Sequence, residues 1–453
     1  MTTTAASLAD RIEGAVITPD DPTYETARQG WNLLFSHRPA VIVDAASIDD
    51  VVAAVRYAAQ VGAKLAVQAT GHGFATTTED VVLVLTRNLD SITVDAEART
   101  ATVGAGLTWG SVLEAAQAVG LAPLLGSSPD VGAVAYTLGG GFGWLGRRYG
   151  LSLDHVLSFT LVLADGSVVE ASERSNPDLF WALRGGGPGS LGVVVDMTIE
   201  LFPVTDVYGG NLFYPLEDAR GVFDFYTRWS AGLPEEMTTS FVIMNFPPMD
   251  IVPAPLQGKS FAIVRGCHSG DLEEAAGLVD QFRAWRAPAI DMFGPMSFSQ
   301  SATIASDPAD PLPALSSARW LSGLDGDVLD AILEVTAQPS PVLFAEIRHA
   351  GGAVARHQVG AAYSSRHADR LLQVVGVAFE PGIEAELAAR QARMWQRLEP
   401  KLAPGGYLNF LEGEERRIAA REAFDPATRA RLATIKRTVD PDDLFGVGLD
   451  LTV

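Results

Sequence analysis

Three glycine clusters constrain this chain more than any other feature: "ATGHG" from Ala69, "TLGGGFGWLG" from Thr137 and "LRGGGPGSLG" from Leu183. Glycines in succession adopt positive φ at little cost and let main-chain N–H groups approach a bulky group closely. One such cluster is most simply a tight turn. Three of them before Val193, with few basic residues nearby, predict a large, flat, phosphate-bearing cofactor held mostly through main chain.

The middle cluster contains a literal G-x-G-x-x-G at Gly141, Gly143 and Gly146, with Asp165 further on, the outline of a dinucleotide-binding turn. That turn needs a strand before it and a continuous helix after it. The residues after Gly146, "RRYGLSLDHV", are interrupted by Gly150, and Asp165-Gly166 reads as the turn of the hairpin "FTLVLADGSVVEAS". The Rossmann reading therefore fails on context.

The pattern elsewhere is mixed. "AVIV" predicts a strand, and Ser47-x-x-Asp50 predicts a helix start ahead of the amphipathic run 51–61, closed by Gly62. "KLAVQA" predicts the next strand, so His72 falls in the loop after it. "VVLVL", "SITVD", "TATVGAG" and "LGVVVDMTIELFPV" read as strands, "GSVLEAAQAVG" as a short helix, and "NPDLFWALRGGG" as a helix with Asn176 as its cap. Near 205–215 the pattern changes to strands ("SFVIMNF", "KSFAIVRG", "LFAEIRHAGGAVA") separated by longer amphipathic helices. In the last of these helices Ile383, Leu387, Met394, Trp395 and Leu398 form one core-facing stripe.

Composition narrows the partners. A net charge of −22 over 453 residues opposes nucleic-acid binding and anionic membrane surfaces. The single cysteine, Cys267, excludes an internal disulfide framework, and the seven histidines show no metal-ligand spacing. No basic, apolar leader and no run of about 18 apolar residues is present, so a soluble cytoplasmic protein acting on a small molecule is expected, of unspecified oligomeric state.

The ordered series "ATGHGF", "SSPDVGAVAYTLGGGFGWLGRRYGLSLDHV", "ADGSVVEAS", "NPDLFWALRGGGPGSLGVV" and "GYLNF…VDPDDLF" resembles the vanillyl-alcohol-oxidase/PCMH-type flavoproteins. Within them it is similar to the berberine-bridge-enzyme-like branch, whose bacterial members include 6-hydroxynicotine and aclacinomycin oxidases. The resemblance covers residues 37–205 and about 405–448. It implies an α+β fold with a two-part PCMH-type FAD-binding domain, residues 1–205 completed by 405–453. Residues 206–404 would form a substrate domain with an antiparallel sheet backed by helices.

The resemblance also implies the site. His72 stands where the family's histidine bonds covalently to the flavin 8α-methyl carbon. Ala69, Thr70, Gly71, Gly73, Ser128, Val131, Gly132, Gly139, Gly140, Gly141, Gly192, Val194 and Asn409 would hold FAD. Many relatives attach the flavin a second time through a cysteine; here Ser128 stands in that place, so a single covalent link is expected. Gln68 replaces a frequent arginine and Thr70 a frequent glycine, while Ser190 and Leu191 depart from the usual residues near the adenosine half. Valine at position 131 matches family members that admit O2, which favours an oxidase producing H2O2. Tyr407, of "YLNF", is the first candidate for an active-site phenol. Glu346 and Arg348 share one face of a strand and are candidates for substrate contact, with a structural ion pair as the alternative. The activity implied is FAD-dependent oxidation of a small alcohol, amine or natural-product intermediate. A dehydrogenase with a non-oxygen acceptor is one alternative, and a non-catalytic flavin-binding protein is another.

Overall fold

The computed structural model describes residues 5–74, 76–357 and 360–451, without the side chains of 418–422. The first strands, β1 (Ala15–Ile17), β2 (Val41–Asp44), β3 (Leu65–Gln68) and β4 (Val82–Leu85), form a sheet in the order β1-β2-β4-β3. β2 and β3 run parallel to β4, so the chain must cross over between them, and the helix Ile48–Val61 does so. The Ser47 hydroxyl caps that helix by accepting the Asp50 N–H, and Gly62 ends it at φ 69°. Asp50 does not close the box on Ser47. Its carboxylate instead accepts the N–H groups of Glu13, Gly14 and Ala46, tying the N-terminal segment down.

The second sheet is antiparallel throughout. It contains β5 (Ile92–Asp95), β6 (Thr100–Gly104), β7 (Val156–Val162), β8 (Val168–Ser172) and β9 (Val193–Glu200), in the order β5-β6-β9-β7-β8. The β7–β8 hairpin turns at Asp165-Gly166, and the Asp165 carboxylate is spent on Ser167. The helix Pro177–Leu183 starts at Pro177, but Asn176 does not cap it. That side chain donates to the Glu170 carbonyl, and its backbone is left-handed at φ 48°.

The third sheet has eight strands: β10 (Asp206–Pro215), β11 (Met237–Asn245), β12 (Ser260–His268), β13 (Ile290–Asp291), β14 (Gly294–Ser297), β15 (Ala314–Leu321), β16 (Val342–His349) and β17 (Arg370–Val377). Their order is β13-β10-β12-β11-β16-β17-β15, with β14 beside β10, all antiparallel. One face, carrying Phe241, Ile347, Leu372 and Val374, packs on Phe223, Trp229, Phe282, Ile332 and Trp395 of four amphipathic helices. Alternation along the strands turns Ser316, Phe344, Glu346, Arg348, Gln373 and Val375 to the opposite face.

The C-terminal segment packs among the elements of the first two sheets. The Leu65 N–H donates to the Leu444 carbonyl, and Arg431 lies over the ring of Trp181. Ser190, expected to alter a cofactor contact, has its hydroxyl oxygen accepting the Leu449 N–H (2.8 Å). Its carbonyl accepts from the buried Lys436 ammonium, which also pairs with Asp440. The architecture is α+β, and the third sheet is backed by helices as expected.

Candidate active site

The chain leaves β3 at Gln68 into a loop held from both sides. The Trp31 N–H donates to the Thr70 carbonyl and the Asn32 N–H to the Gly71 carbonyl, each at 2.9 Å. Gly71 sits at φ 73°, and a Cβ there would meet Gly30. The His72 ring stacks on Trp31 at 4.6 Å with 12° between planes, and its Nδ1 lies 2.8 Å from the Thr70 hydroxyl. Its Nε2 is buried without a partner. Burial lowers the imidazole pKa to about 4, so the ring is neutral near pH 7.

His72 borders a cavity of about 280 Å³ between its loop and the face of the third sheet that carries Ser316, Phe344, Arg348, Gln373 and Val375. A second cavity of about 120 Å³ continues it under the first two sheets. Val67, Ala69, Gly73, Phe74 and Arg416 border both. The predicted residues Ala69, Thr70, Gly71, His72, Gly73, Ser128, Val131, Gly132 and Asn409 line the larger cavity. Gly192 and Val194 line the smaller one.

Gly139, Gly140 and Gly141 line neither cavity. A Cβ on Gly139 would run into Asn409 Oδ1, one on Gly140 would meet the Tyr407 ring, and one on Gly141 would meet Ser152 and Tyr136. Gly139 and Gly140 thus let Asn409 and Tyr407 of the C-terminal segment come close to the end of the helix Ala133–Leu138. The G-x-G-x-x-G run comes after that helix and leads only to the single turn Gly146–Tyr149, as its context predicted.

Tyr407, the candidate phenol, makes its contacts inside the protein. It is fully buried and absent from both cavity walls, its hydroxyl oxygen accepts the Phe142 N–H (2.7 Å), and burial raises its pKa. Phe410, three residues on, is the one that faces the cavity. Glu346 stays behind the wall. Its carboxylate accepts from the Ser240 hydroxyl (2.6 Å) and Arg348 Nε (2.9 Å), with Arg265 at 3.7 Å. Burial pushes its pKa up, but Arg348, Arg265 and these hydrogen bonds more than offset it, and the net shift is downward. A carboxylate so committed is a weak proton acceptor. Arg348 does line the cavity, with its guanidinium 4.7 Å over Phe410 and Nη2 3.4 Å from the Ser127 hydroxyl.

Several wall residues were not singled out from sequence: Trp31, Asp307, Phe344, Gln373, Val375, Glu412 and Arg416. Glu412 and Arg416 are one helical turn apart, and that spacing was the available signal. Asp307 lies in a Pro- and Ala-rich loop that offers none; its carboxylate accepts the Ser127 hydroxyl (2.7 Å). Glu412 accepts the Ser316 N–H at 2.9 Å, and burial raises its carboxyl to about 8. Burial lowers the Arg416 guanidinium to about 10. Cys267 is remote from both cavities, buried in β12 with its thiol pushed up to about 12. Among the described residues no group of His, Cys, Asp and Glu could hold a metal, and no helix is long and apolar enough to cross a membrane.

Residues 39–172 match the FAD binding domain family. The chain is 38% identical over 194 residues to (R)-6-hydroxynicotine oxidase of Paenarthrobacter nicotinovorans, an alignment covering 42% of each chain. It thus spans less than half the length of that relative. Among solved structures, Physcomitrella patens BBE-like 1 superposes with a TM-score of 0.85 at 22% identity, covering 98% of this chain and 97% of the other. The 6-hydroxy-D-nicotine oxidase of Arthrobacter nicotinovorans gives a TM-score of 0.83 at 25% identity over 96% of each chain.

Proposed function

We propose that this chain, a berberine-bridge-enzyme-like FAD-linked oxidoreductase, is a cytoplasmic oxidase of a small alcohol, amine or natural-product intermediate, with its FAD bonded covalently to His72. In this reading residues 1–205 and 405–453 hold FAD, and residues 206–404 hold substrate. The observation that carries it is the His72 ring, stacked on Trp31 at the wall of the larger of two adjoining cavities that share Val67, Ala69, Gly73, Phe74 and Arg416. The residues present suit FAD. A neutral imidazole borders one part, and Arg416, a buried cation lining both cavities, can meet the negative charge of a pyrophosphate. Bound flavin would supply a hydride acceptor and a route for two electrons to dioxygen.

The chain's own residues have three tasks. Leu343, Phe344, Val375, Val377 and Phe410 form an apolar wall that receives the carbon skeleton and excludes water. This wall favours a substrate with an apolar or aromatic body. Arg348, fixed by Glu346 and Phe410, presents one cationic donor to a hydroxyl or carbonyl oxygen. Glu412, which keeps its proton to about pH 8, is the carboxyl placed to exchange a proton with the bound molecule.

Acid precipitation of the purified protein tests the reading. Yellow colour retained in the washed pellet of wild type, and absent from the pellet of His72→Ala, is the expected result. Colour released from wild type into the supernatant removes the covalent bond, and a colourless protein that takes up no FAD removes the function. Val131 borders the larger cavity, and the family resemblance at that position favours oxygen as acceptor. A Val131→Ile variant, reduced anaerobically and mixed with air, is expected to reoxidise about tenfold more slowly, or ~1.4 kcal/mol on the barrier. Slow wild-type reoxidation that an added dye accelerates would instead establish a dehydrogenase.

A further inference from the structure

Arg348 of β16 and Asp307, in the loop before β15, both line the larger cavity, and one hydroxyl joins them. Arg348 Nη2 lies 3.4 Å from Ser127 Oγ, and that hydroxyl donates to Asp307 Oδ2 at 2.7 Å. Ser127 lines the cavity as well. The loop that carries Asp307 is fixed, because Trp31 Nε1 donates to the Ala309 carbonyl and the Leu33 N–H to the Leu312 carbonyl, each at 3.0 Å. Ser127 therefore shows what the pair reads: an oxygen that accepts from the guanidinium while its proton goes to the carboxylate. Arg348 Nη1 and Asp307 Oδ1 make no hydrogen bond among the described residues, so a donor and an acceptor remain for a second hydroxyl.

Charge decides which kind of group can use them. Arg348 and Arg265 lie among the carboxylates of Glu346 and Asp307. Burial opposes the two guanidinium charges, and Glu346 and then Asp307 support them. Two cations and two anions cancel. Arg416 is committed to the pyrophosphate in the oxidase reading, and Glu412 holds its proton to about pH 8. A hydroxyl adds no charge to this set and is both donor and acceptor. An ammonium group would add an unbalanced cation beside Arg348, and it has no lone pair to accept from the guanidinium. We infer that Asp307 is a specificity-determining residue: with Arg348 it forms a charge-balanced donor–acceptor pair that selects an uncharged hydroxyl, so the substrate is an alcohol rather than an amine. The inference rests on the oxidase reading and narrows its substrate class.

Three ligands of one skeleton, benzyl alcohol, benzylamine and benzoate, test this on the oxidised holoprotein at neutral pH, with the flavin absorbance band reporting each dissociation constant. Wild type should bind benzyl alcohol about tenfold more tightly than either ion. Arg348→Gln leaves one negative charge in excess, and benzylamine should become the tightest ligand. Asp307→Asn leaves one positive charge in excess, and benzoate should take that place. A side chain that only supported the fold would weaken all three ligands alike. Wild-type preference for benzylamine or benzoate, equal binding of the three, or binding of none overturns the inference even if neither variant folds. So does a folded variant in which the wild-type order is unchanged. Binding is read before turnover, so the two readings fail separately: alcohol-selective binding to a flavin that no member of an alcohol panel bleaches would remove the oxidase and keep the selectivity.

Discussion

Replacing Glu346 by alanine is expected to destabilise the protein by about 3–5 kcal/mol, the usual cost of removing one partner from a buried ion pair. Glu346 is 1% exposed and lies between Arg348 and Arg265, whose side chains are 13% and 5% exposed. With the carboxylate gone, two guanidinium groups share a poorly solvated space, and the Ser240 hydroxyl loses its acceptor. Glu346→Gln keeps an acceptor for Ser240 but removes the charge, so an intermediate loss is expected. Chemical denaturation of the three holoproteins, followed by tryptophan fluorescence and by flavin absorbance, measures the order. The experiment also separates the two roles open to this residue from sequence. A side chain that served only to contact substrate would cost turnover in Glu346→Gln without costing stability. Because Glu346 is buried between Arg348 and Arg265 and lines neither cavity, its loss is expected to lower stability first, and turnover only as Arg348 loses its tether. Wild-type stability in Glu346→Ala would refute that placement.

The parts of the fold that were legible in sequence are those decided by near neighbours. The β7–β8 hairpin comes from Asp165-Gly166 between two β-rich runs, and the helix Ile48–Val61 from Ser47, an apolar stripe and Gly62. The stripe of Leu387, Met394, Trp395 and Leu398 is core because its period is helical. The His72 loop was legible through its order among the other motifs. The illegible parts depend on contacts far apart in the chain. Gly139 is glycine because of Asn409, and no local pattern announces that neighbour. Tyr407 and Phe410 bracket the single turn Leu408–Phe410, and its phase decides which ring meets the cavity. That phase is set by the Phe142 N–H, which captures the Tyr407 hydroxyl. Glu412 and Arg416 belong to a run, "EGEERR", that reads as a solvated face; the packing of Ser316 against it makes two of its ionisable side chains internal.

Glu412 gives the second large effect, because its carboxyl titrates in the folded protein at about 8 against 4.5 for the free group. The folded state therefore binds the proton more tightly than the unfolded chain does. Stability from this difference is fully present below pH 4.5 and is lost as the pH rises through 8. The loss is of the order of a few kcal/mol, most of it between pH 5 and pH 8. The buried imidazoles of His72 and His37, both lowered to about 4, act in the opposite sense and only below about pH 6.5, where an unfolded histidine starts to charge. Above that pH the trend belongs to Glu412. The thermal midpoint of wild-type holoprotein is expected to fall steadily from about pH 6.5 to about pH 9, and the Glu412→Gln curve to stay nearly flat, since glutamine still offers an oxygen to the Ser316 N–H. The titration also bears on chemistry. If Glu412 exchanges a proton with the bound molecule, turnover shows an apparent pKa near that of the stability curve, and Glu412→Gln lowers kcat by roughly 10²-fold or more. Parallel stability curves for the two proteins would mean that Glu412 is ionised across the whole range, with Arg416 as its counter-charge rather than a cation free to meet a ligand.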